Sequence, residues 1–91
     1  MAFLKVQRKT LDGTSTEFEF SVKGTKFLVK NLSDAECYVN FEEITDNNED
    51  TSILIPAQIA QVVLANEITH FGVSSVYVKG TGDIEVQVIN W

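Results

Sequence analysis

The chain has one cysteine, Cys37, so no internal disulfide can form and no oxidising compartment is needed to staple the fold. Its one histidine, His70, supplies no triad, and no Gly-x-Ser-x-Gly elbow offers a nucleophile beside it. Zinc needs several Cys or His ligands, which these two residues do not provide within one subunit. Apolar runs are short. None is longer than the four residues of Val62 to Ala65, far below the roughly 18 to 20 residues that cross a bilayer, so no membrane helix is expected. The opening Met-Ala-Phe-Leu-Lys lacks a basic stretch, a long apolar core and a cleavage site, so the product is expected to stay in the cytosol after synthesis. Bases are scarce as well: seven Lys and Arg against thirteen Asp and Glu give a net charge of −6, which argues against a nucleic-acid partner.

What is present is a folding sequence of ordinary balance, 44% hydrophobic and 22% charged, and 91 residues suffice for one domain spanning 1–91. Its rhythm is that of strands. Glu-Phe-Glu-Phe-Ser-Val, residues 17–22, places Phe18, Phe20 and Val22 on one face and Glu17, Glu19 and Ser21 on the other. Phe3 to Lys9 reads as a preceding strand with Leu4 and Val6 on one side, joined through the turn dipeptide Asp12-Gly13 into a hairpin. Lys26 to Asn31 is a third strand, and Asn-Leu-Ser-Asp at 31–34 a turn. Cys37, Val39 and Phe41 face inward on a fourth, which the pattern allows to run on to Ile44.

Asp46 to Asp50 has no apolar residue and reads as an exposed loop, and Ser52 to Ile55 as a strand halted at Pro56. Gln58 to Leu64 fits either period. A strand is preferred, because so short a helix has little stability of its own. Asn66 to Gly72 is a loop or irregular strand. Val76 and Val78, then Ile84, Val86 and Val88, read as two strands of a closing hairpin turned at Gly80-Thr81-Gly82-Asp83. Seven to eight short strands predict an all-β fold, a single antiparallel β-sandwich of jelly-roll or immunoglobulin-like type.

Chemistry-bearing constellations are weak. Gly80-Thr81-Gly82 is followed by Asp83 rather than a helix start, so it is a turn and no phosphate cradle, and no cofactor is expected. Glu42, Glu43, Asp46, Glu49 and Asp50 could attract calcium but lack the register of a helical calcium loop, so the segment reads as solvated and no metal is assigned. Tyr38, Tyr77 and Trp91 are expected outward, and with His70 they are the candidate contacts for a partner or a glycan. Six of the seven bases lie in the first thirty residues, which carry +3, while the remainder carries −9. That asymmetry would favour head-to-tail contact between copies, unless folding interleaves the signs. Leu28, Leu54, Ile89 and Trp91 add outward apolar surface, and association is expected.

Four stretches, Phe27-Leu-Val-Lys-Asn-Leu-Ser-Asp, Cys37-Tyr-Val-Asn-Phe-Glu-Glu-Ile, Ser52-Ile-Leu-Ile-Pro-Ala and Val76-Tyr-Val-Lys-Gly-Thr-Gly-Asp-Ile-Glu-Val-Gln-Val-Ile, carry a resemblance. Through them nearly the whole chain resembles small β-rich proteins encoded among head genes of phages and prophages of Gram-positive bacteria. The resemblance implies a non-enzymatic virion component of capsid, neck or fibre, made in the host cytoplasm and contacting its own copies or other virion proteins. It transfers no catalytic residue. A small carbohydrate-binding module using the aromatics is the alternative.

Overall fold

The computed structural model describes residues 5–65 and 72–90. His70 and Trp91, the start of the expected first strand and most of the expected 66–72 loop lie outside the described residues. Six strands follow in chain order: β1 (Val6–Gly24), β2 (Lys26–Asn31), β3 (Cys37–Asn40), β4 (Ile53–Ile55), β5 (Ala60–Leu64) and β6 (Val73–Asn90). A short 3₁₀ turn, Glu49–Thr51, precedes β4, and no α-helix occurs among the described residues. The strands form one antiparallel sheet in the order β4-β3-β6-β2-β5, with β1 running along the other side of β6.

The long β1–β6 ribbon organises everything else. Its lower part, β1 from Val6 to Asp12 against β6 from Thr81 to Gln87, carries β2 and β5; its upper part, around Glu17 and Tyr77, carries β3 and β4. Phe18, Val76 and Val39 from the upper part share one buried cluster with Val86, Phe27 and Val63 from the lower part. The sheet is therefore folded over its own core into a nearly closed, barrel-like body. Phe18, Phe27 and Ile55 are fully buried, and each such side chain stabilises the fold by about 1.5–3 kcal/mol.

Neither expected hairpin turn is present. At Asp12-Gly13 the chain makes a bulge and continues: Asp12 pairs with Thr81 and Ser15 with Lys79, so β1 advances three residues while β6 advances two. Gly13 supplies the φ of +96° that this needs. The extra residue switches which parity faces the core, from odd (Leu11) below the bulge to even (Phe18, Phe20) above it. Val6 consequently points outward and is 44% exposed, against the sequence pattern.

At Gly80-Thr81-Gly82 β6 also runs straight through, its even residues facing inward on both sides. Those glycines serve close approach instead: a Cβ on Gly82 would sit 2.5 Å from Cβ of Ser33, and one on Gly80 would sit 2.9 Å from Cβ of Cys37. With two turns absorbed into long strands, the described residues form six strands of one sheet where seven to eight shorter ones were expected.

Other elements stand as expected. Gln58–Leu64 resolves to strand β5, and Pro56 closes β4. Strand β3 stops at Asn40, short of Ile44, because the Asn40 side-chain oxygen accepts the backbone N–H of Phe41 and Glu42 and diverts them from the ladder. The two arms of β1 meet at a seam bridged by side chains: Gln7 Nε2 donates to the carbonyl of Glu19, and Lys9 Nζ donates to that of Glu17 at 2.7 Å. Lys9 also lies 5.2 Å from the Phe18 ring centre, so the edge carbonyls are occupied from within by a charged residue.

Candidate functional site

Two outer faces, one on each half of the long ribbon, differ in chemistry. The lower face, formed by β1, β6, β2 and β5, is bare sheet. Pairing aligns Val6, Gln87, Leu28 and Val62 across it in one row, and Arg8, Glu85, Lys30 and Ala60 in the next. Val62, Leu64 and Ile89 are exposed and Leu28 is half-buried, so the first row and its margin form an apolar patch interrupted by half-buried Gln87 between Val6 and Leu28. Lys26, paired with Leu64, borders it.

Glu85 anchors the second row. Its Oε1 accepts Arg8 Nη2 at 2.7 Å and its Oε2 lies 3.0 Å from Lys30 Nζ. The carboxylate side chain is only 9% exposed, while the Arg8 side chain is 65% exposed. Hydrogen bonding from Arg8, then from Lys30, holds Glu85 below the usual carboxylate range, and desolvation opposes this more weakly than either bond. This pairing brings bases from β1 and β2 onto an acid of β6, so the signs separated along the sequence are partly interleaved by the fold.

The upper face is acidic and partly roofed by the 41–52 loop. Ile44 N–H donates to Ser15 Oγ at 3.0 Å, and Glu49 Oε2 meets Lys79 Nζ at 2.5 Å. Asn48 shapes the loop, accepting Thr45 N–H at 2.7 Å and donating to the Glu43 carbonyl at 2.9 Å. Tyr38 and Tyr77 both lie on this face, half-buried, on neighbouring strands. Glu17 pairs with Tyr77 and accepts Ser75 Oγ at 2.7 Å, and Glu19 follows next along β1. Desolvation pushes the Tyr77 hydroxyl pKa up, assisted by Glu17, Glu43 and Glu19, so these carboxylates converge on one aromatic. Burial and hydrogen bonding to Glu49 act oppositely on Lys79, and the hydrogen bond prevails, raising it.

Cys37 is fully buried on the inward face, and desolvation pushes its thiol up to about 11. The 31–34 turn is held by Asn31, whose amide donates to the carbonyls of Ala35, Ile55 and Pro56 while its oxygen accepts Ser33 N–H and Oγ. Gln58, in the left-handed region at φ 62°, donates to the carbonyls of Leu32 and Ser33 and ties the β4–β5 connection to that turn. No group of three His, Cys, Asp or Glu that could hold a metal occurs among the described residues.

The structure thus brings Tyr38 and Tyr77 together, while His70 and Trp91 lie outside the described residues. Sequence reasoning missed Val6, Val62 and Glu85. Val62 had a signal, the exposed half of an alternating β5, but Val6 depends on the bulge and Glu85 on partners far along the chain. No family model, curated protein or solved structure matches the chain.

Proposed function

We propose that the protein is a non-enzymatic structural component of a phage or prophage particle that works through contact surface. The carrying observation is the bare lower face, where Val6, Leu28 and Val62 align beside exposed Leu64 and Ile89. A patch of this kind costs a soluble domain hydration free energy unless a partner covers it. The sequence resemblance supplies the virion setting.

Mass spectrometry of density-purified particles, produced by the phage or induced prophage that carries the gene, tests the reading. The protein is expected in the particle fraction at a fixed ratio to the major capsid protein. Its recovery from lysate alone, with none in particles, overturns it.

A further inference from the structure

The two outer faces are complementary to each other, and the natural occupant of one is the other on a second copy of this chain. The lower face offers Val62, Leu28 and Val6, with Gln87 between the last two, bordered by Arg8, Lys26 and Lys30, three bases against the one acid, Glu85, that Arg8 and Lys30 share. The upper face offers Tyr77 and Tyr38 among Glu17, Glu19 and Glu43, with Lys79 opposite Tyr38 held by Glu49. Apolar surface would meet aromatic surface, and a basic rim would meet an acidic one. We propose that copies associate head to tail, the lower face of one docking on the upper face of the next. The inference rests on the structural-protein reading above and names the partner of that same surface.

The opposite signs select this arrangement over a two-fold one. Pairing the lower face with itself would bring Arg8, Lys26 and Lys30 of both copies to one interface with only Glu85 of each to offset them. The size of the patch sets the strength. Its exposed members, Val6, Val62, Leu64 and Ile89, are each only 38–46% exposed, too little for the roughly 800 Å² per partner of a stable complex. Association in free solution is therefore weak and salt-dependent, and it becomes substantial where copies are concentrated on a particle. A head-to-tail contact need not close, so the product is a ring or a filament rather than a fixed dimer.

Sedimentation velocity on the full chain tests this with two single variants, Lys26→Glu on the lower face and Glu19→Lys on the upper. Both positions are exposed, and melting by circular dichroism checks that each variant folds. The wild-type chain at about 0.5 mM is expected to form species beyond the dimer at low salt and to lose them at about 0.5 M salt, where the screening length falls to a few ångströms. Each variant alone should associate at least about tenfold more weakly, a change of about 1.4 kcal/mol. An equimolar mixture should recover association, because the intact upper face of K26E meets the intact lower face of E19K.

A monomeric wild-type chain, variants that associate like wild type, or a mixture no stronger than its parts overturns the head-to-tail contact. If the protein is nonetheless found in particles, the structural reading survives that failure. If it associates as expected but is absent from particles, the virion reading fails alone.

Discussion

Glu85 shows how much one side chain can depend on its neighbours in space. By alternation it is an outward, solvated residue between Ile84 and Val86, and only the flanking strands reveal that Arg8 and Lys30 close over it. Its pKa is held down in the folded state, so the stability it contributes is present above the ordinary carboxylate range and is lost as pH falls through its folded-state value. Glu85→Gln should lower the melting temperature at pH 7. The difference from wild type should shrink toward zero as pH falls through the lowered folded-state value and the native carboxylate is also protonated. A thermal-melt series across pH checks this, and a gap of constant size would show that charge is not the cause. The residue scale is also where periodicity reads most safely: the inward placement of Phe18, Phe20, Cys37 and Val39 follows from alternation alone.

At the scale of elements, glycine plays roles that local sequence leaves open. Asp12-Gly13 and Gly80-Thr81-Gly82-Asp83 carry the composition of hairpin turns, yet both lie inside long strands. The same residue type serves reversal, bulging and close packing, and local sequence does not distinguish them. The two sites should respond differently to alanine. At Gly13 the nearest atom to an added Cβ is Thr81 Cγ2 at 4.0 Å, so Gly13→Ala bears only the positive φ, at about 1 kcal/mol. Gly82→Ala combines a φ of +84° with the approach to Ser33 and should cost about 2–3 kcal/mol or more. Urea unfolding of the two variants gives the order, and equal losses would show that Ser33 moves aside freely. Strand β5 was legible because β-branched Val62-Val63 and short length both favour extension.

For the whole molecule, the working feature is a sheet folded over one core with unlike outer faces. Because the core is shared by every strand, no part of it should open alone around Cys37, which is fully buried and whose thiol that burial pushes up to about 11. At pH 8 a thiol reagent should label Cys37 only through global unfolding, at a rate that rises with urea in step with the loss of β-sheet circular dichroism. Fast labelling in native buffer would place a local opening at β3. The acidic loop belongs to this scale as well. Its carboxylates read as merely solvated in sequence, but the fold lays Glu43 and Glu49 onto the upper face and gives that face its sign.

The sequence by itself determined the secondary-structure class, the alternation that selects most inward residues, the end of β4 at Pro56 and the uneven distribution of charge. These are short-range properties, set by side-chain period and backbone restriction within a few residues. Tertiary structure alone decided that two turn-like glycine sites are passed straight through, that a one-residue bulge exposes Val6, and that Arg8 and Lys30 converge on Glu85. It also decided that Glu85 sits among the bases of the lower face and Lys79 beside Glu49 on the upper. Each of these depends on strand register between residues tens of positions apart, and register is fixed only when the whole sheet closes on its core.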